Sequence, residues 1–386
     1  MKSIVFLSYE GVTDTIFESQ VLEHCEKFPA IHLFLLPNNI AAYNKSKLYM
    51  EKNSKNFKIS LLRSFNQKIP LSELINALQL YKVFKENKIK DPIIHARSDY
   101  AAAVATLLKL LISCTVIWDC RGDTVSEQKL ANCDNGSPME AFMRMLAIKN
   151  RIWIARRFSD AIIFVSTALR DTISQNHRNT FIIPCCSNGE KFYYDNQLRL
   201  IKRKELNISN PTTVFIYSGS TTGKYHIFDR TVELFQKIQN ENQDVLFIIL
   251  TPNINDAEEK LKDKNIKNFI LKCVNMDGVN EYLNAADYGV ILRDKSNVNY
   301  VSSPVKFSEY SMAGLRIITT NNIHQTQELK MKLNNIEFCD LNNISNFHLS
   351  NTPFDRLTTA EVAKKYFERN SYEQIYKNLY FSRKVN

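Results

Sequence analysis

The chain has 386 residues, a net charge of +10 from 50 Lys+Arg against 40 Asp+Glu, 44 % hydrophobic residues and only 9 glycines. This composition excludes a disordered, collagenous or linker-rich chain, and the length favours two domains over one enlarged core. The eight cysteines show no Cys-x-x-Cys spacing, so the expectation is a reduced, cytoplasmic protein rather than a disulfide or zinc scaffold.

In chain order, Ile4-Val5-Phe6-Leu7 reads as a short buried strand and not as a signal peptide, because the apolar run is brief and no small-residue cleavage site follows. Apolar, β-branched runs then predict strands near 31–35, 57–61, 92–96, 114–119, 161–165 and 180–183. Helical patterns lie near 14–27, 71–87, 98–112, 138–158 and 167–175. The longest apolar stretch, Ala101 to Trp118, is interrupted by Lys109 and bracketed by Asp99 and Asp119. It reads as a buried helix followed by a buried strand, with no membrane span. After Pro184 the rhythm restarts, with strands near 213–217, 245–250, 268–271, 287–292 and 315–319 and helices near 227–240, 277–285 and 303–313. Such alternation predicts an α/β protein with two doubly wound domains, 1–187 and 188–364, and the final segment, 365–386, reads as helical and rich in Tyr and Phe.

In open α/β sheets, ligands bind beyond the carboxyl ends of the strands. Gly11, Gly122, Gly189, Gly219 and Gly223 all fall at or just past predicted strand ends. Ser303-Pro304 reads as an N-cap and first helical residue, with Lys306 in the first turn and Glu309 further in. First-turn amides and the positive end of the helix dipole make an anion site, and a carboxylate at Glu309 suits the two hydroxyls of a ribose. From the residues alone, a capped surface helix with a solvated Lys and Glu accounts for the pattern equally well.

The run SSPVKFSEYSMAGLRIITT, Ser302 to Thr320, resembles the donor-site helix and following strand of glycosyltransferase family 4 in the GT-B superfamily. Ile182 through Phe192 is similar to that family's interdomain segment, and Ser166 after Ala161–Val165 to the strand–Ser–helix element before it. Asn284 through Val290 resembles the strand preceding the donor loop, and Val214 through Lys224 the first C-terminal strand with its glycine loop. The resemblance spans most of the chain. It implies GT-B architecture, with two Rossmann-like domains facing a central cleft and the final helical segment, 365–386, packing back on the first, and transfer of a sugar with retention, without a metal or other cofactor. The donor would be a nucleotide sugar, UDP- or GDP-linked, and the acceptor a glycan or lipid-linked hydroxyl of a cell-surface polysaccharide or lipopolysaccharide.

On that resemblance Glu309 would bind the donor ribose, and Ser303, Lys306, Gly219 and Lys224 would lie by the diphosphate. The sequence departs from the family at Val301, where the first of two glutamates is usual, and at Ser220, where an Arg is usual. Arg293 would supply the missing cation and Asn299 the missing polar contact to the sugar. In the N-terminal half, Asp119, Arg121 and His95 are the candidate catalytic residues, with Glu10, Gly11, Arg97 and Glu127 around the acceptor. A structural Asp–Arg pair that fixes the turn is the plainer reading of Asp119 and Arg121.

The positive charge is uneven: residues 1–187 hold 24 Lys+Arg and 17 Asp+Glu, the rest 26 and 23. Arg144, Lys149, Arg151, Arg156 and Arg157 share a predicted helix with Met143, Met145, Leu146, Ile152, Trp153 and Ile154. That mixture suits weak attachment to an anionic membrane surface, or a solvated face packed by its other side. No recognised nucleic-acid motif gathers the basic residues, so no nucleic-acid partner is expected. Alternatives to transfer on this fold are a sugar-nucleotide epimerase, a phosphorylase, or a non-catalytic nucleotide-binding partner protein.

Overall fold

In the computed structural model the described residues are 3–12, 15–37, 39–52, 56–67, 69, 71–132, 137–174, 176–222, 227–350 and 352–381. The chain divides into two units, Met1–Pro184 with Tyr372–Asn386, and Cys185–Ser371. The final helix, Glu373–Phe381, therefore belongs to the first unit.

The first unit holds seven strands: β1 (Ile4–Ser8), β2 (Ile31–Leu35), β3 (Lys58–Leu61), β4 (Ile93–Arg97), β5 (Thr115–Cys120), β6 (Ala161–Phe164) and β7 (Thr180–Ile182). They form one parallel sheet in the order β3-β2-β1-β4-β5-β6-β7. Strands β1, β2, β4 and β6 are buried along their whole length, as expected for a parallel sheet covered on both faces. The second unit holds β8 (Thr213–Ser218), β9 (Val245–Leu250), β10 (Phe269–Lys272), β11 (Tyr288–Ile291), β12 (Arg316–Thr319) and β13 (Ile336–Phe338), in the order β10-β9-β8-β11-β12-β13. Side chains alternate across β8: Val214 and Ile216 join one core, Phe215 and Tyr217 the other. Both sheets are parallel in every pairing, so the expected doubly wound α/β class is the observed one.

Strand order reverses between β1 and β4 in the first sheet and between β8 and β11 in the second. Those switch points open a crevice at the carboxyl ends. Glu10 and Gly11 follow β1 and Arg97 ends β4; Gly219 follows β8 and Arg293 lies two residues past β11. Among the described residues, six helices escaped the periodicity reading: Ile40–Lys52, Thr124–Asn132, Asn196–Glu205, Ile254–Asp263, Asn297–Tyr300 and His324–Leu333; so did β13. Asn196–Glu205 shows why, since its buried residues are Lys202 and Arg203 rather than apolar ones.

Candidate functional site

In the second unit the helix Val305–Met312 begins one residue later than Ser303-Pro304 suggested. Pro304 keeps extended backbone (φ −67°, ψ 126°), and the Ser303 hydroxyl accepts from the Cys185 amide at 3.0 Å instead of capping the helix. The expected N-cap role of Ser303 is thereby corrected: a tertiary donor 118 residues away takes its oxygen. Phe307 N–H donates to the Pro304 carbonyl (3.0 Å), and Pro304 has no N–H, so Val305 and Lys306 supply the open first-turn amides among the described residues.

Lys306 reaches back from this turn to β8, where its Nζ lies 4.9 Å from the centre of the Tyr217 ring. Gly219 makes the approach possible. Its φ of +127° is a conformation that side-chain-bearing residues rarely adopt, and a Cβ there would overlap Lys306 Nζ. Burial and, to a lesser extent, Arg293 lower the lysine pKa to about 7, with Glu309 pulling the other way without compensating. Among the described residues no ion pair or hydrogen bond engages Nζ. Burial also lowers the Arg293 pKa. The Arg293 main chain is pinned by Thr320, whose Oγ1 accepts from the Arg293 amide (3.2 Å) and donates to its carbonyl (2.8 Å).

Glu309 is buried one turn beyond Lys306. Beside it Tyr310 ties the helix to β8: its hydroxyl accepts from the Ser218 amide at 2.9 Å and lies 3.0 Å from Ser218 Oγ. The Tyr310 ring fills the space that a Cβ on Gly289 of β11 would occupy. Asn299 is buried, and its amide donates to the Asp294 carbonyl (3.2 Å) and carboxylate, so it shapes the loop after β11. Val301 lies fully inside the core. Lys224 and Gly223 lie outside the described residues.

In the first unit, Asp119 near the end of β5 pairs in register with Arg97 of β4. Three cationic or protonatable groups surround its carboxylate: Arg121 Nη1 at 3.4 Å from Oδ1, with Arg97 Nη1 and His95 Nε2 each 3.6 Å from Oδ2. Burial alone would raise the Asp119 carboxyl; Arg121, His95 and Arg97 outweigh it and hold the group well below the usual carboxylate range. Arg97 also pairs with Glu10 (3.2 Å) and Arg121 with the Gln20 side chain (3.1 Å). The sequence-predicted residues Asp119, Arg121, His95, Arg97 and Glu10 are therefore one constellation. His95, a candidate catalytic residue, does not open outward. It is 1 % exposed, stacked on Phe6 with ring centres 4.5 Å apart.

Glu127 sits further along, where a Cβ on Gly122 would come within 2.5 Å of its carboxylate. Burial and the neighbouring Asp99, Asp123 and Glu10 raise its pKa. Gly11 packs against Ala42 and Ser46, and Ser46 Oγ accepts from the next amide, Val12, at 2.9 Å. Its closeness is to a helix of its own unit. The seven described cysteines are free thiols. Among the described residues no cluster of His, Cys, Asp or Glu could hold a metal ion, and no helix is long and apolar enough to cross a membrane.

Sequence reasoning missed Tyr217, Tyr310, Gln20 and Tyr380. The tyrosines carried no signal beyond apolar periodicity, since each reads as a core aromatic, and Gln20 reads as an ordinary residue of a helical stretch.

The fold is that of the GT-B glycosyltransferases. Anabaena HepE, crystallised with UDP-glucose, superposes with a TM-score of 0.68 at 14 % identity, over 97 % of this chain and 98 % of that one. A sucrose-phosphate synthase from Thermosynechococcus elongatus gives 0.65 at 14 % identity, over 98 % and 99 %. WaaG, a glycosyltransferase involved in lipopolysaccharide biosynthesis, gives 0.65 at 12 % identity, over 98 % and 100 %. No protein-family model matches the sequence, and no curated protein matches it.

Proposed function

We propose that this chain is a glycosyltransferase that takes a sugar from a UDP-linked donor and passes it, with retention and without a metal, to a hydroxyl of a glycan or lipid-linked acceptor in cell-surface polysaccharide synthesis. The observation that carries the reading is Lys306. A partly buried lysine held against Tyr217 and Gly219, with Arg293 nearby and, among the described residues, no ion pair or hydrogen bond on its Nζ, costs the fold free energy that a bound diphosphate would return. Its place between β8 and β11 is where an open α/β sheet binds nucleotides. HepE, of the same fold, was crystallised with UDP-glucose.

In this reading the Val305 and Lys306 amides, Lys306 Nζ and Arg293 stabilise the charge that gathers on the departing diphosphate. Lys224 would add a further cation from the glycine loop. Glu309 accepts the ribose hydroxyls; Asp119, with Arg121, marks the acceptor side. Glu309→Ala is expected to weaken UDP-glucose binding by about 10- to 100-fold, the worth of hydrogen bonds to a charged group, as read by calorimetry. Unchanged binding, or no stabilisation of the wild type by any UDP-, GDP-, ADP- or CMP-sugar in a thermal-shift panel, would remove the donor-site assignment.

Attachment to the cytoplasmic face of a membrane is part of the same reading. The helix Pro138–Phe158 leaves Phe142 (63 % exposed), Met143, Leu146 and Trp153 (53 %) at the surface beside exposed Arg144, Lys149 and Arg157. Apolar anchors interleaved with cations suit an anionic lipid surface. Flotation with vesicles containing phosphatidylglycerol should carry the protein upward, neutral vesicles should not, and Trp153→Glu with Phe142→Glu should abolish the effect. Equal flotation on both vesicle types would defeat the electrostatic part.

A further inference from the structure

The final helix, Glu373–Phe381, packs within the first unit through Tyr376, Leu379 and Tyr380, held at one end by an ion pair between Lys27 and Glu373 at 2.9 Å. Its Tyr380 hydroxyl meets two buried histidines, 285 and 356 residues away in sequence. It lies 2.6 Å from His95 Nδ1 and 2.8 Å from His24 Nε2. His95 in turn presents Nε2 to Asp119 Oδ2 at 3.6 Å, and this buried nitrogen makes no hydrogen bond to any described residue.

The directions of these contacts follow from who can donate. Asp119, held ionised by two guanidiniums, accepts only. If His95 carries one proton, that proton belongs on the nitrogen facing Asp119, and Nδ1 is then the acceptor. Tyr380 has a single proton and gives it to Nδ1; its oxygen then accepts from His24 Nε2–H. Every donor points one way, from His24 through Tyr380 and His95 towards Asp119.

We propose that Tyr380 is a positioning residue: its hydroxyl selects the Nε2–H tautomer of His95 and so aims that proton at the Asp119 carboxylate. The C-terminal helix thereby sets the protonation geometry of the Asp119 constellation, and any effect on turnover rests on the transferase reading above. Phenylalanine at 380 keeps the ring that packs on Phe28, at 5.5 Å between centres, and removes only the hydroxyl.

The test is a long-range nitrogen–proton correlation spectrum of the full chain labelled with 15N-histidine, with His95 assigned from the peaks lost in His95→Gln. Wild type should show His95 as the Nε2–H tautomer, and Tyr380→Phe should show a tautomer mixture. In the transferase assay the same variant should lose about 10-fold in kcat with KM for UDP-glucose unchanged. An Nδ1–H or doubly protonated His95 in the wild type at pH 7.5 overturns the proposal, with no variant needed. An unchanged His95 tautomer in Tyr380→Phe overturns it as well. If wild type turns over no UDP-sugar, the transferase reading falls, while the tautomer pattern still decides the role of Tyr380.

Discussion

Lys306→Ala is expected to lower kcat/KM with UDP-glucose by about 10²–10³-fold, the cost of removing one preorganised charge-stabilising donor, while the ligand-free protein becomes no less stable. The second half of that expectation comes from the same burial as the first. A lysine whose pKa falls to about 7 in the fold and is near 10.4 in the unfolded chain binds fewer protons when folded. Between those two values the ligand-free stability rises with pH, because the unfolded state holds the extra proton. A diphosphate reverses the balance by restoring the charge. Between pH 7 and the bound-state pKa, UDP binding should therefore take up a proton, and affinity should fall by up to about tenfold per pH unit. Calorimetry at pH 8.5 in buffers of different ionisation enthalpy measures that uptake directly. Binding with no proton uptake in the wild type, or with the same uptake in Lys306→Ala, would show that Lys306 is not the group that meets the anion.

Asp119→Asn should be costly in a different way. Its carboxylate lies between Arg97 and Arg121 with His95 beneath, and breaking a buried ionic cluster by removing one partner costs about 3–5 kcal/mol. For a unit of this size that is a fall in Tm on the order of 10 °C, read by calorimetry on the transition of the first unit. Acid should erase the difference. A carboxyl held below its ordinary pKa contributes stability that is present above about pH 4 and is lost as pH falls towards the folded value. The gap between wild type and Asp119→Asn should then narrow from pH 5 to pH 3. A gap that stays constant over this range would mean that the asparagine disturbs packing rather than charge.

Much of the architecture was legible because parallel strands buried on both faces leave continuous apolar runs. Ile4–Ser8, Ala161–Phe164 and Thr213–Ser218 each stood out for that reason. The helices that were missed bury little or polar surface: Ile254–Asp263 buries only Ala257 and Leu261. The strand-end placement of Gly219, Lys306 near a helix start, and Asp119 beside Arg121 were also readable locally. Ser303 shows the limit. Its chemistry suits a cap, and a competing donor from Cys185, remote in sequence, decided otherwise.

Length, charge and the alternation of strand and helix were thus determined by the sequence itself, as was the excess of Lys and Arg in the first half, since composition and period are properties of neighbouring residues. Glycines such as Gly122 and Gly219 marked where the backbone comes close to another group, without saying to which. Only the tertiary structure placed Lys306 over Tyr217 in the space left by Gly219, and Tyr380 between His24 and His95. Those meetings depend on strand order and on where the final helix packs, which join residues far apart in the chain, and no local periodicity encodes them.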